Sequence, residues 1–311
     1  MTAISVVMSV YNGAPALAAT LDSILGQTER DFEFIIVDDG STDATPAILD
    51  AYAARDPRIR IIRQENAGLT RALITGCAAA RGTYIARQDA GDLSLPTRLA
   101  KQKSLLDADH DLVFVSCWTE FVGPMLEPLY EMHGSGRASE AIAILDFEQP
   151  AGVIDGPTCH PSVMFRREAY ERAGGYRRAF YFGQDWDLWY RLGAVGKFQI
   201  VPEALYQARV TPESISGRAH DAQQKLGEFS LAAARARARG DSDASLLEDA
   251  ERIGASTPHA RFRRSRGLYF IGEILRRRGD RRARRYLRQA IAASPFSIRA
   301  WIRYLQSLPL R

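Results

Sequence analysis

The sequence has few cysteines and no long apolar run. Its three cysteines, Cys77, Cys117 and Cys159, lie far apart in 311 residues, which argues against a disulfide framework or a zinc site and fits a reducing cytoplasm. No apolar stretch reaches the roughly 18 residues of a membrane-spanning helix. The first residues contain neither a basic segment nor a cleavage site, so we expect no signal peptide. These absences predict a globular protein of the cytoplasm.

Charge is distributed unevenly along the chain. Residues 218–311 hold 21 Lys and Arg against 9 Asp and Glu, a balance of +12, so residues 1–217 carry −8 within the total of +4. Such an asymmetry suggests two modules with different partners. We expect one domain over residues 1–217 and a basic helical region over residues 218–311. The basic region could face anionic lipid; the alternatives are a solvated face of a packed bundle or a nucleic-acid patch, which nothing else supports.

The first module alternates strands with helices. The predicted strands are Ile4–Val10, Phe32–Val37, Ile59–Arg63, Thr83–Ala86, Leu112–Cys117 and Ser162–Phe165. The predicted helices are Pro15–Gln27, Pro46–Ala54, Thr70–Ala80, Pro96–Asp107, Ala138–Phe147 and Trp186–Leu192. Repeated βα units predict an α/β fold, with a mostly parallel, Rossmann-like sheet flanked by helices. From Gly217 onward the pattern is helical only, and we expect a small bundle that packs on the first module.

The most informative motif, Asp38-Asp39-Gly40-Ser41, follows the second strand. Its two carboxylates stand at a strand's C-terminal end, where open α/β sheets bind their ligands. They can accept hydrogen bonds from the N–H or hydroxyl groups of a ligand. The alternative is an Asx turn that caps the next helix. Taken alone, the motif leaves the two interpretations equally open.

Two other loops follow the first and third strands. Ser9 and Tyr11 precede an Asn-Gly turn, and a tyrosine there can lie against a nucleobase. The segment Asn66-Ala67-Gly68 leads into a helix, and its main-chain N–H groups could face a phosphate. The alternative for the first loop is a turn with a packed tyrosine, and this interpretation is preferred. The alternative for the second loop is an ordinary helix start, which is favoured at least as strongly as a phosphate site.

The fourth strand ends in Gln88-Asp89-Ala90-Gly91-Asp92. Two carboxylates there flank a glycine turn, and Mg²⁺ or Mn²⁺ takes one or two such oxygens and completes its shell with phosphates and water. A cation would offset the charge of a departing nucleotide diphosphate. The alternative is a polar loop before the helix that starts at Pro96. The aspartates on the neighbouring second strand favour function, with Asp89 and Asp92 as metal ligands.

Asp185 is the candidate general base. It stands at the entry to an amphipathic helix, where partial burial would raise the pKa of its carboxyl. The alternative is that Asp185 is only the N-cap of this helix, but an N-cap role does not explain why Trp186 and Trp189 lie beside it. Asp187, two residues further on, competes for the same role, and both it and Trp186 are candidate substrate contacts. His160 is a secondary candidate, because a lone histidine before a strand is more often structural.

Taken in order, these motifs resemble glycosyltransferase family 2, the inverting transferases with the GT-A fold. The similarity runs from about Ser5 to Ser216 and also includes the segments Gly82–Ala86, Gly174–Tyr176 and Glu213–Ser216. The resemblance implies that Tyr11 and Asp39 hold the base and ribose of a nucleotide. It also implies that the Asp89–Asp92 loop meets the sugar nucleotide and a cation, and that Asp185 is the base. The further nucleotide contacts it suggests are Ser9, Asn66, Gly68 and Asp89.

Two positions depart from the family pattern. Gly91 replaces the middle carboxylate of the usual Asp-x-Asp-Asp loop. Either Asp92 or Asp89 then serves as the metal ligand, or the Mn²⁺ or Mg²⁺ ion is held mainly by phosphates. Gln184 replaces the usual glutamate before Asp185, which leaves the base in place. The histidine often found near the family's closing segment is also absent, and Thr211 stands there.

The resemblance implies an inverting glycosyltransferase that moves a sugar from a nucleotide diphosphate donor to a hydroxyl of a glycan or lipid-linked glycan. The expected setting is bacterial surface polysaccharide synthesis, in the cytoplasm or at the inner face of the plasma membrane. Two other classes remain open. A sugar nucleotidyltransferase would carry a Gly-rich, basic loop after the first strand, and residues 11–14 are neither. A non-catalytic nucleotide-sugar binder is supported only by Gly91, and the retained Asp185 argues against it.

Overall fold

The residues that the structure describes contain a mixed nine-stranded β-sheet. In the computed structural model these residues are 2–133, 156–212, 220–256 and 264–308. The strands are β1 Ile4–Val10, β2 Phe32–Asp38, β3 Ile59–Arg63, β4 Tyr84–Asp89, β5 Leu93–Ser94, β6 Leu112–Val122, β7 Pro128–Met132, β8 Met164–Arg166 and β9 Lys197–Arg209. Their order is β3-β2-β1-β4-β8-β6-β9-β5, with β7 paired to β6. The predicted α/β class is confirmed.

Helices flank the sheet and form the C-terminal part of the same residues. They are α1 Ala14–Leu25, α2 Thr45–Ala53, α3 Leu69–Ala78, α4 Arg98–Ala108, α5 Arg167–Arg172, α6 Gln184–Gly193, α7 His220–Ala238, α8 Ala244–Ser256, α9 Arg264–Arg277, α10 Ala283–Ala293 and α11 Ile298–Gln306. In this described part of the chain, no helix combines the length and apolarity needed to cross a bilayer. The predicted helix Ala138–Phe147 lies outside the described residues.

Strands β1 to β4 form the parallel part of the sheet. β2 pairs with β1 and β3, and β1 pairs with β4, all in parallel. Because both faces of this part are covered, its strands are continuous apolar runs, and Phe34 to Val37 are fully buried. The register sets Ser9 of β1 between Val37 of β2 and Asp89 of β4. The carboxyl ends of these strands therefore meet at one edge, as the sequence predicts.

The other half of the sheet combines parallel and antiparallel pairs, so the sheet as a whole is mixed. β8 runs antiparallel to β4 and β6, while β6 and β9 are parallel to each other. The 13-residue strand β9 was not predicted, because Pro202 and Glu203 interrupt its apolar alternation. Its pairing with β6 shifts register next to Trp118. Long-range pairing overrides a weak local pattern here.

The helical region packs on the sheet module. Leu231 and Ala234 of α7 join the core cluster that contains Leu188 and Trp189 of α6. Helices α9 to α11 enclose a separate cluster together with Leu129 of β7. The bundle therefore lies against the first module, as expected. The predicted boundary at residues 217 and 218 falls outside the described residues and stays a prediction.

Candidate active site

The loops after β1 and β2 are fastened together. The Asn12 side-chain oxygen accepts hydrogen bonds from the main-chain N–H groups of Thr42 (2.8 Å) and Asp43 (3.3 Å). In return, the Asn12 N–H donates to Ser41 Oγ at 2.9 Å. The neighbouring Tyr11 is 53% exposed at the carboxyl edge of the sheet. The fold thus presents an open tyrosine ring from a well-fixed loop.

Both carboxylate oxygens of Asp39 accept hydrogen bonds from within the protein. Its Oδ1 accepts from Gln64 Nε2 (2.7 Å) and the Ala67 N–H (3.0 Å), and its Oδ2 accepts from the Gly68 N–H (2.9 Å). The residue is 2% exposed. The N–H groups of residues 67 and 68, considered above as phosphate donors, are therefore occupied, which corrects that hypothesis. In this structure Asp39 holds the loop after β3 in place.

Glycine permits the close approach of these loops. Gly40 has φ +77°, and a Cβ there would lie 2.8 Å from the main-chain N of Asn66. Gly68 has φ +87°, and a Cβ there would lie 2.8 Å from the ring of Tyr181. Both positions favour glycine on conformation and on space. The sequence did not predict the contact with Tyr181, because Tyr181 is far from this loop along the chain. A hydrogen bond from Thr70 Oγ1 to the carbonyl of Phe180 (2.8 Å) holds the Tyr181 segment next to the loop.

A buried arginine positions the carboxylate at the end of β4. Arg87 is fully buried and donates to the carbonyl of Val7, and its Nη2 donates to Asp89 Oδ1 at 2.8 Å. About a third of the Asp89 side chain, 34%, stays exposed. The structure therefore brings Asp89 next to Ser9 at the open edge. Arg87 was not among the predicted site residues, although a charged residue inside an otherwise buried strand is a sequence signal for such a role.

Asp92 has a different environment from Asp89. Its Oδ2 accepts from the Tyr206 hydroxyl (2.9 Å) and its Oδ1 from the Arg209 N–H (2.8 Å). Burial and the charge of Asp89 together raise the pKa of Asp92 to about 8. Both Asp92 oxygens accept hydrogen bonds from β9, so Asp92 ties β9 to the loop after β4. The role of Asp92 as a metal ligand stays a prediction.

The donor set fits a cation bound by one protein carboxylate. Gly91 has φ +103°, so a carboxylate-bearing residue there would be strained. Among the described residues, no group of three or more His, Cys, Asp and Glu side chains is arranged for a metal ion. Asp89 remains, at the exposed edge. Because Mg²⁺ and Mn²⁺ need only one or two carboxylates when a diphosphate supplies further oxygens, Asp89 suffices.

Asp185 lies close enough to Asp89 and Arg87 for their charges to act on its carboxyl. Helix α6 begins at Gln184, and Gly183, with φ +69°, is its N-cap, so Asp185 lies inside the first turn and is not the cap. The pKa of Asp185 is raised to about 6, chiefly by burial. Hydrogen bonds from the N–H groups of residues 185 and 186 and the charge of Arg87 lower this pKa, whereas the charge of Asp89 raises it. A helix N-terminus normally lowers such a pKa, so desolvation prevails here.

The other candidates on α6 are occupied by structural contacts. Asp187 is fully buried and pairs with Arg177 and with Arg191, whose Nη2 lies 2.6 Å from its Oδ2. This ion-pair cluster removes Asp187 from the candidate substrate contacts. The ring of Trp186 lies directly on Gly227 of α7, where even a Cβ would not fit. Trp186 therefore anchors the helical region, which its sequence position did not reveal.

His160 is held below the cleft in its neutral form. Its Nε2 lies 2.8 Å from the Tyr176 hydroxyl, and its ring stands edge-on to Trp189. Burial and the charge of Arg87 hold the pKa of His160 well below its usual range. Cys159 was missed by the sequence analysis: burial raises the pKa of its thiol, and the charges of the three cleft carboxylates, at residues 89, 92 and 185, raise it further. Cys159 therefore lies near all three, as a neutral thiol.

The comparison with known proteins identifies the family. The family profile described as glycosyl transferase family 2 matches residues 5–174, more than half of the chain. The chain belongs to glycosyl transferase family 2. It is therefore a glycosyltransferase, as the sequence motifs predict, and its sheet has the GT-A architecture.

Two curated relatives illustrate the range of this family. The glycosyltransferase EpsE of Bacillus subtilis (strain 168) is 34% identical over 221 residues, which cover 69% of this chain and 76% of EpsE. Chondroitin synthase of Escherichia coli is 27% identical over 227 residues, covering 71% of this chain but only 31% of that protein. The glycosyltransferase part of the larger enzyme thus corresponds to most of this chain.

Solved structures share the fold at low identity. TarS residues 1–349 of S. aureus, solved with UDP, has a TM-score of 0.58 at 15% identity and covers 99% of this chain and 93% of that one. Mannosyltransferase PcManGT of Pyrobaculum calidifontis, solved with GDP-Man and Mn²⁺, has a TM-score of 0.55 at 19% identity. The match covers 98% of this chain and 84% of PcManGT. Because the coverage extends over nearly the whole chain, the helical region belongs to the shared architecture.

Proposed function

We propose that this family 2 enzyme transfers a sugar from a nucleotide diphosphate donor to an acceptor hydroxyl with inversion, and that Asp185 is its general base. The observation that carries the proposal is the position of Asp185 in the first turn of α6, close enough to Asp89 and Arg87 for their charges to act on it, where burial raises the pKa of its carboxyl to about 6. A base with a pKa just below neutral is ionised at working pH yet still basic enough to accept a proton. Catalytic groups are characteristically tuned in this way.

The donor nucleotide is proposed to lie along the carboxyl edge of β1 to β4. Tyr11 offers an exposed ring to the base, and the Asn66-to-Gly68 loop, supported by Asp39 from below, offers its outer surface to the ribose. Ser9 and Asp89 stand side by side where the diphosphate would lie. Structures of TarS with UDP and UDP-GlcNAc and of PcManGT with GDP-Man support a donor of this class.

Asp89 is the residue proposed to hold a divalent cation, Mn²⁺ or Mg²⁺, together with diphosphate oxygens of the donor. When bound, such a cation neutralises charge on the departing diphosphate. Arg87 keeps Asp89 in position through the 2.8 Å bond to Oδ1 and leaves Oδ2 directed away from that pair. In this proposal Asp92 is not a ligand of the cation, since Tyr206 and the Arg209 N–H occupy its oxygens.

In the proposed reaction, Asp185 accepts the proton of the acceptor hydroxyl while that oxygen attacks the anomeric carbon. The bond from the anomeric carbon to the diphosphate oxygen breaks on the opposite side, and its electron pair leaves with the nucleotide. Attack opposite the leaving group inverts the anomeric centre. The neutral Asp185 then returns its proton to water. His160, neutral and bonded to Tyr176, supports the cleft floor and takes no proton.

A glycan or lipid-linked glycan of a bacterial surface polysaccharide is the proposed acceptor, and the cytoplasm is the proposed location. The similarity to EpsE and to chondroitin synthase supports a role in polysaccharide synthesis. The three free cysteines support a reducing compartment.

Donor turnover tests the proposal. The enzyme is incubated with UDP-, GDP- and dTDP-sugars, with Mn²⁺ or with chelator, and release of the nucleoside diphosphate is followed; thermal shift reports binding separately. We expect one donor class to be bound and turned over, with the opposite anomeric configuration in the product by NMR. Binding without hydrolysis or transfer by any donor would support a non-catalytic nucleotide-sugar binder instead.

A further inference from the structure

We propose that the outward face of α11, together with the turn before it, binds the surface of an anionic lipid bilayer. This surface, called here the α11 face, consists of Phe296, Ile298, Trp301, Ile302, Leu305 and Leu308. All six side chains are exposed, from 41% at Leu308 to 96% at Phe296. The inference concerns a region away from the cleft and does not depend on the proposed reaction.

The apolar residues of α11 form a continuous stripe. Ile298, Trp301, Ile302 and Leu305 are spaced i, i+3, i+4 and i+7, which places them on one side of a helix. In a globular protein such a stripe normally faces the core. Here the core side is Ala300, which is 1% exposed, and Tyr304, which packs against the cluster of α9 and α10. The stripe that ought to be buried therefore points to solvent.

Specific contacts hold the helix in this orientation. Ser297 caps it by accepting from the Ala300 N–H. Arg284 of α10 donates through Nε to the carbonyl of Ser307 at 2.7 Å, closing the far end. Trp301 Nε1 donates to the carbonyl of Pro295 at 2.9 Å, so the indole polar atom is satisfied while its ring remains 45% exposed. The bond from Arg284 and the packing of Ala300 and Tyr304 against α9 and α10 therefore set which side of α11 faces inward.

The segment that contains this face carries charge of one sign, and of its arginines Arg303 pairs with Glu273 of α9 at 3.5 Å. Residues 281–311 contain eight arginines and no Asp, Glu or Lys. In the described part of this segment, Arg281, Arg288 and Arg299 are exposed and have no acidic partner. By contrast, arginines just before it are paired: Arg276 and Arg277 both bind Glu273. The arginines of this segment that remain available to a partner thus include Arg288 of α10 and Arg299 of α11.

An anionic bilayer matches both properties. A helix with aromatic and aliphatic side chains on one face and arginines beside them lies in the headgroup region, with its apolar face toward the acyl chains. Each arginine near an anionic surface adds favourable attraction that falls off within a Debye length. A second copy of the chain would cover the apolar stripe but would bring arginines against arginines. The absence of acidic residues in the segment therefore favours lipid over self-association.

Vesicle sedimentation of the full chain tests the proposal. Vesicles of two parts phosphatidylcholine to one part phosphatidylglycerol should bind the protein, pure phosphatidylcholine should bind it much less, and salt should weaken the binding. The double variant I298S/L305S should lower the partition coefficient by at least about tenfold, because two apolar anchors are lost. R288Q/R299Q should remove most of the preference for anionic vesicles. Arg81→Gln, an exposed arginine of the parallel half, is the matched control and should change nothing.

Trp301 provides a readout at the proposed surface. Brominated lipid should quench the fluorescence of Trp301 in the bound protein, and Trp301→Phe should abolish that quenching while binding persists. Quenching that survives Trp301→Phe, or vesicle binding unchanged in I298S/L305S, would place the contact elsewhere and overturn the proposal. Absent vesicle binding with a concentration-dependent dimer that I298S/L305S dissociates would assign the face to a second copy and would overturn it equally.

Discussion

The two aspartates of helix α6 lie two residues apart and have opposite environments. Asp185 faces the cleft, and burial raises the pKa of its carboxyl to about 6. Asp187 faces the protein, is fully buried, and is neutralised by Arg177 and Arg191. A displacement of two residues carries a side chain to another side of a helix. One side of α6 thus carries the proposed base, and the other fixes the helix in the fold.

The same contrast separates the aspartates of the loop after β4. Asp89 is partly exposed and bound by Arg87 through one oxygen, whereas Asp92 is closed off by Tyr206 and the Arg209 N–H. A carboxylate in a motif is therefore available for chemistry only if the protein has not already satisfied it. The predictions that follow test this division, beginning with the largest expected effect.

The substitution Asp185→Asn should lower turnover by about 10²–10⁴-fold, the usual contribution of a positioned general base. Asparagine keeps the shape of the side chain but accepts no proton at neutral pH. Donor affinity by calorimetry and the Tm should remain nearly unchanged, because Asp185 does not carry the fold. Full activity of this variant would remove Asp185 from the reaction.

Asp187→Asn should act on stability and not on chemistry. It leaves two arginines without their buried anion, and breaking such a pair costs about 3–5 kcal/mol. Denaturant unfolding measures the loss, and the activity of the molecules that remain folded should be close to that of the wild type. Asp243→Asn, which removes a more exposed partner of Arg177, is the matched control and should cost less. A stable but inactive Asp187→Asn variant would indicate that Asp187 is the general base and that Asp185 is not.

Asp39→Ala should affect both fold and donor binding. The N–H groups of Ala67 and Gly68 lose their acceptor, at about 1–3 kcal/mol for an unsatisfied buried group. As the loop loosens, nucleoside diphosphate affinity should fall roughly tenfold. Melting and calorimetry on the same samples measure the two effects, with Glu65→Ala, at an exposed position of the same loop, as control. Lost affinity with an unchanged Tm would mean that Asp39 contacts the donor directly, as the family resemblance implied.

The rate should depend on pH through Asp185. With the pKa of its carboxyl near 6, kcat/KM should fall about tenfold per pH unit below that value, because the base becomes protonated. The measurement is a pH profile of donor turnover at saturating cation. A profile that is flat from about pH 5 to about pH 7 would indicate a base with a lower pKa.

Asp92→Asn should produce the smallest effect, and its sign is informative. The folded pKa of Asp92, about 8, lies above the ordinary value of 3.8, so protonation favours the folded state. The stability contributed by this proton is present below the ordinary value and is lost as pH rises through the folded value. The variant, which mimics the protonated form, should therefore gain at least about 1 kcal/mol relative to wild type at alkaline pH. Thermal unfolding across pH measures the difference. An increased Mn²⁺ requirement in this variant would instead restore Asp92 as a metal ligand.

Much of the sheet could be predicted because its signals are local. β1 to β4 are short apolar runs followed by polar turns, and parallel strands bring their carboxyl ends to one edge. That reasoning assigned the loops that carry Ser9 and Asp89 to the same edge of the sheet. It missed β9, whose partner β6 is distant in sequence and whose own pattern is interrupted at Pro202.

The sequence by itself determined the α/β class, the loops at the edge of the parallel strands and the glycosyltransferase motifs, because strand periodicity and turn residues act over a few neighbours. Tertiary structure alone decided which carboxylates are available. Tyr206 reaches Asp92 across 114 positions, and α6 sets Asp185 in the cleft while burying Asp187. It also decided that the apolar stripe of α11 faces outward: the spacing shows that a stripe exists, and only packing shows which side of the helix the core already occupies.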